Sequence, residues 1–160
     1  MHRSFLLVAT LAAFALSACG STTAAPGRPV IGPFGYGGLK LGMTLQQALD
    51  TKLIGPDQIG IPTSKCTVHD ILGTGERVHV SRAKGVATIS FTPEMSSNGV
   101  GKGATEATLK SKYTNLEPGG ENYTYVADAE GNPDAYFAFG VRDGKLWEAF
   151  VSLRDQDCHN

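Results

Sequence analysis

The sequence predicts an α+β fold, a helix followed by three strands used twice in tandem. Three observations point there. Two segments with helix-start signals, after Thr44 and after Thr105, lie 61 positions apart in the chain. Each is followed by runs in which apolar and polar residues alternate, the period of a strand with one covered face. Turn dipeptides sit between those runs where hairpins need them, Lys84-Gly85 in the first half and Asp143-Gly144 in the second.

Before the first helix comes a leader. Residues 1–18 have the parts of a signal peptide: His2 and Arg3 at the start, an apolar run through Leu16, and a small-residue exit at Ser17-Ala18. The run is too short to span a bilayer, which takes roughly 20 apolar residues. Leu16-Ser17-Ala18-Cys19 resembles the lipobox of bacterial lipoproteins. The resemblance implies that the Cys19 thiol receives a diacylglyceryl group, that the chain is cut before Cys19, and that Cys19 becomes the acylated N-terminus. A thiol suits that step because sulfur is a far better nucleophile than a hydroxyl. Each buried acyl methylene contributes about 0.8 kcal/mol to membrane binding, so two or three chains hold firmly where one does not. The implied location is the outer face of the bacterial cell membrane, with the lipid as the membrane contact.

Residues 19–38 read as the lipidated end and a tether, because Ser, Thr, Ala, Gly and Pro bury too little apolar surface to offset their ordering entropy. The glycine-rich stretch around Phe34-Gly35-Tyr36 lacks the Gly-Lys-Ser/Thr of a phosphate loop and is not read as one. The folded domain is placed at residues 39–160. In its first half, over residues 39–93, Thr44 and Gln47 form a capping box that opens a helix with Leu45, Ala48, Leu49 and Leu53 on one face. Gly55-Pro56 is read as its end. Strands follow over residues 65–71, 76–82 and 86–92. The second half, over residues 100–153, repeats the order: a helix over 106–113, then strands over 122–127, 135–142 and 145–153.

Leu41-Gly42-Met43-Thr44 and Val100-Gly101-Lys102-Gly103-Ala104-Thr105, each leading into a helix, resemble the Gly-x-Thr helix starts of the β-lactamase-inhibitor-protein-like and small outer-membrane-assembly lipoprotein superfamily. That resemblance implies helices packed on one face of an antiparallel sheet, with the other face or its rim offered to a protein partner.

Lipidation of Cys19 leaves Cys66 and Cys158 of the three cysteines, an even number in an oxidising compartment, and a disulfide between them is expected. A metal site from Cys66, His69, Cys158 and His159 is not expected. Residues three apart on a strand, and neighbours, point to opposite faces. No cofactor is implied. His69 and His79 read as structural residues on strands, and Asp128-Ala129-Glu130-Gly131-Asn132 as an exposed turn without full calcium-loop spacing. No nucleophile, base and oxyanion site converge by spacing, so no catalytic residue is named.

Removal of the leader takes Arg3 with it, so Lys+Arg falls from 14 to 13 against 15 Asp+Glu. That balance, with no basic stripe, argues against nucleic acid as a partner. The last strand carries large apolar groups on both faces, with Trp147, Ala149, Val151 and Leu153 on one and Leu146 and Phe150 on the other, more than a one-sided sheet needs. Tyr123, Tyr125, Tyr136 and Trp147 are therefore the candidate partner-binding residues, since Tyr and Trp give rigid contact area. The function expected is a lipid-anchored, extracytoplasmic protein-binding or scaffold module. The alternatives are a cell-envelope enzyme assembled from distant residues and a carrier of a small apolar ligand.

Overall fold

The computed structural model describes residues 29–59 and 65–159, so the expected signal peptide, Cys19 and the first part of the expected tether lie outside the described residues. Eleven strands and two helices follow one another: β1 (Ile31–Gly32), β2 (Gly35–Tyr36), β3 (Leu39–Lys40), α1 (Leu45–Asp50), β4 (Ile54–Gln58), β5 (Cys66–Ile71), β6 (Glu76–Ser81), β7 (Gly85–Ser90), α2 (Glu106–Lys112), β8 (Leu116–Pro118), β9 (Tyr125–Asp128), β10 (Ala135–Arg142) and β11 (Lys145–Leu153). The expected α+β class is corrected by this count. The described chain is 46% strand and 10% helix, a mainly β fold. One antiparallel sheet has eight strands, in the order β4-β5-β6-β7-β11-β10-β9-β8, and β1 to β3 form a small second sheet.

Each half contributes four strands, not three. In the first half the extra strand lies at Ile54–Gln58, where Gly55-Pro56 is expected to end the helix. The Thr51 hydroxyl donates to the Ala48 carbonyl at 2.6 Å and accepts from the Leu53 N–H at 3.2 Å, and Lys52 turns to a positive φ of 60°. The helix therefore ends at Asp50, and Ile54-Gly55-Pro56 forms an edge strand. In the second half the short β8 runs into Pro118. Both edges of the sheet thus carry a proline, Pro56 and Pro118, which lacks the N–H that another strand would pair with.

The Gly-x-Thr motif has one structural job in both halves. Gly42 N–H donates to the Val86 carbonyl at 2.9 Å and Val86 N–H to the Met43 carbonyl at 2.7 Å. Gly103 N–H donates to the Leu146 carbonyl at 2.7 Å and Leu146 N–H to the Ala104 carbonyl at 2.8 Å. Each helix start is so clamped to the first turn of the last strand of its own half. Both glycines have positive φ, 80° and 86°, which admits no ordinary side chain without strain. The threonine that follows caps the helix: Thr44 accepts from the Gln47 N–H within a complete capping box, and Thr105 from the Thr108 N–H.

The two halves meet where β7 pairs with β11, Ile89 opposite Val151 and Thr88 opposite Ser152. One sheet face, with Val78, Ile89, Phe137, Phe139, Ala149 and Val151, is covered by α1, α2 and the small sheet to make the core. The tether boundary at residue 38 is also corrected. Ile31 and Leu39 are fully buried, and Ile31 N–H donates to the Ser96 carbonyl, so the ordered chain is already in place by β1. Short strands rich in Gly and Pro have no readable period; only their burial identifies them. Among the described residues no helix is long and apolar enough to cross a membrane.

Candidate functional site

The face of the sheet away from the helices is divided between the two halves. Over β5 to β7 the chain covers it with its own end. Cys66 and Cys158 are joined in a disulfide, with Cα atoms 5.6 Å apart, and the exposed pair Lys84 and Asp155 ties down the same segment. Gln156 shapes this strap, its side-chain oxygen accepting from the N–H groups of Cys158 and His159 at 2.7 and 2.8 Å. The His159 ring then lies on that of His79, centroids 4.2 Å apart. Burial above all, with the nearby charges of His159 and Arg77, lowers the pKa of His79 to about 4, and burial lowers that of His159. Burial thus favours the neutral form of both rings.

Those positions show what the sequence-level metal set does in the fold. The sulfurs of Cys66 and Cys158 are bonded to each other, so neither supplies a thiolate to the cluster with Asp157, the only close trio of ligand type among the described residues. His69 faces the core side. Its Nδ1 donates to the Gly55 carbonyl at 3.0 Å, so its Nε2 accepts from the Thr67 hydroxyl at 3.1 Å. Fully satisfied and buried, His69 ties the edge strand β4 to β5.

Over β9 to β11 the same face is aromatic. Phe150, nearly buried, lies under Tyr123 at 4.7 Å and beside Tyr136 at 6.4 Å, both edge-on. The Arg154 guanidinium stands 5.9 Å from the Tyr136 ring. Burial, then Glu148 and Tyr136, raises the Tyr123 phenol. Trp147 reaches this face through an irregularity that the alternation of β11 hides. The register with β10 shifts between Gly140 and Val141, which pair with Glu148 and Leu146 and leave Trp147 as the extra residue of a bulge.

Leu146 consequently turns into the core, joining Ala149 and Val151, and Trp147 lies across Gly140. This corrects the expected grouping of Trp147 with Ala149 and Val151. Only glycine fits beneath it, since a Cβ at position 140 would stand 2.8 Å from the indole Nε1. The indole is 46% exposed and has the Arg142 guanidinium 4.4 Å from its ring.

Of the four candidate residues, Tyr123, Tyr136 and Trp147 share this face and Tyr125 does not. Tyr125 pairs with Phe139 on the core side, and its hydroxyl donates to Glu106 of α2, which also pairs with Lys110 at 2.8 Å. Phe150 and Arg142 complete the patch; alternation places Phe150 on the face opposite Ala149 and Val151, but it does not show the bulge that brings Trp147 to that face. For the carrier alternative, a cleft of about 440 Å³ lies where the start of α1 meets the β6–β7 turn, and Arg82, Lys84 and Thr67 line it beside Leu45 and Val80. No known protein family, characterised protein or solved structure matches this chain.

Proposed function

We propose that the chain is a lipid-anchored, extracytoplasmic binding module that takes a protein partner on the β9–β11 half of its sheet. The observation that carries this reading is Trp147. A bulge and a glycine hold a large indole half in water on a face that already has Tyr123, Tyr136 and Phe150 packed together. Rigid aromatics with an adjacent arginine are the residues from which interface hot spots are made, because they bury large area at small entropy cost. The Cys19 lipobox supports the anchor, and the Cys66–Cys158 bridge suits an oxidising compartment.

Crosslinking and pull-down of the mature protein from intact envelopes test the reading. A partner captured by wild type and lost with Trp147→Ala is expected, whereas equal capture by a folded Trp147→Ala variant contradicts it. Metabolic labelling with a tagged fatty acid tests the anchor separately. Label is expected on wild type and not on Cys19→Ala.

A further inference from the structure

Four large apolar side chains are exposed among the described residues, and Trp147 alone of them lies on the aromatic face. The others are Val30, Phe34 and Leu72, at 69%, 53% and 52% exposure. Val30 and Phe34 flank β1, in the layer that covers the opposite side of the sheet. Backbone bonds hold both in place. The Pro29 carbonyl accepts from the Ser96 N–H at 2.9 Å and the Ile31 N–H donates to the Ser96 carbonyl at 3.0 Å, so Ile31 turns into the core and Val30 turns out. Phe34 sits in the turn between β1 and β2. Its carbonyl accepts from the Leu41 N–H at 3.0 Å, and that of Pro33 from the Asn132 side chain at 2.9 Å.

Each end of β1 borders a hollow with apolar walls. Near Val30, a cleft of about 310 Å³ lies between Pro29 and Leu72, with Tyr36 and Leu53 in its walls. The other, of about 550 Å³, is walled by Phe34, Leu41 and Leu153. One lysine and one carboxylate stand at each, Lys52 with Glu94 and Lys40 with Asp134. All four are exposed, and none joins an ion pair among the described residues. With charge balanced at its margin, this surface favours an apolar contact over a charge-driven one. The lysines are long enough to lay their stems against hydrocarbon and keep their ammonium groups in water.

What meets the surface follows from where the chain leads. Val30 is eleven positions after Cys19, a stretch that spans at most about 40 Å when fully extended. With lipid on Cys19, these apolar side chains stay within that reach of a bilayer, at an effective concentration that populates even a weak contact. We propose that the β1–β3 side of the domain rests on the membrane surface, with Val30, Phe34 and Leu72 entering the boundary between headgroups and acyl chains. This contact rests on the lipid anchor proposed above, and it turns the Trp147 face away from the bilayer.

Trp147 is the sole tryptophan of the chain and reports on the far face. Coupling the mature chain through its Cys19 thiol to a maleimide lipid in phosphatidylcholine vesicles supplies an anchor whether or not the cell attaches one. Failure here is thus distinct from failure of the lipobox reading, which fatty-acid labelling decides. Bromine on the vesicle acyl chains quenches any tryptophan that reaches them. Phe34→Trp in a Trp147→Phe background should be quenched several-fold more than Trp147 in the wild-type chain. Val30→Trp in the same background should behave alike, which guards against a folding defect in one variant. Quenching at positions 30 and 34 no stronger than at Trp147 would overturn the proposal and leave a domain held by its lipid alone.

Discussion

Replacing both Cys66 and Cys158 with alanine removes the one covalent link in the described fold, and the size of the effect follows from where the bridge sits. It spans 92 positions, from the first residue of β5 to the strap beyond β11. The chain-entropy relation for a loop of that length gives about 4.6 kcal/mol at 25 °C. For a domain of this size that corresponds to a fall in Tm of about 15 °C. Two features of the bridge bear on this loss. Cys66 is buried, so alanine is the right replacement, because it adds no polar group to a buried position. The strap keeps part of its own shape through Gln156 and one surface ion pair, but that pair is exposed and contributes little. A strap that frays in the variant gains entropy in the native state and reduces the loss. Thermal unfolding followed by circular dichroism, on wild type and the double variant without reductant, measures it. A fall of only about 3 °C, or two alkylatable thiols in unreduced wild type, would refute the reasoning.

Three further outcomes are expected. Gly85→Ala should destabilise by about 3 kcal/mol or more, since the added Cβ would stand 2.4 Å from the Met43 carbonyl oxygen at a φ of 75°, whereas Gly144→Ala, with φ 70° and open space, should cost about 1 kcal/mol; urea unfolding compares them. Ser152→Ala should cost about 1–2 kcal/mol by stranding the Thr88 hydroxyl, bonded to Ser152 at 2.9 Å in the seam between the halves, and adding Thr88→Val should restore most of it in the same assay. The His79 pKa falls to about 4 in the fold from an ordinary 6.5, so its burial stabilises the neutral form: that contribution is present above pH 6.5 and is lost as the unfolded chain takes up protons between pH 6.5 and about 4. Tm should drop over that window, and His79→Phe should flatten the drop.

The features legible in the sequence are those whose cause is local. The capping box of Thr44 and Gln47 needs only residues three apart, and both of its hydrogen bonds form. Asp143 and Gly144 both take positive φ, as a tight hairpin turn requires, and β10 and β11 cover the residues expected of them, Ala135–Arg142 and Lys145–Leu153. What was not legible depends on partners far along the chain. Ile31 and Leu39 belong to two-residue strands whose order comes from the core above them, and Pro56 marks an edge strand only once β5 lies beside it. The apolar period of the helix continues to Leu53, and nothing in that period reveals that Thr51 diverts the chain.

The candidate site divides along the same line. Tyr123 and Tyr136 were identifiable by residue type. The position of Trp147 was not, because a bulge at one residue reverses the face of everything before it. Tyr125 was lost from the set for the converse reason: regular pairing with Phe139 carries it to the helices.

The claim that this aromatic face meets a protein partner is tested most directly by a photo-crosslinking residue placed at Trp147 in intact envelopes, with the same residue at Gln46, exposed on α1 across the sheet, as the comparison. A discrete protein adduct at position 147 and none at position 46 is the predicted result. No adduct at 147, or equal adducts at both, would contradict it.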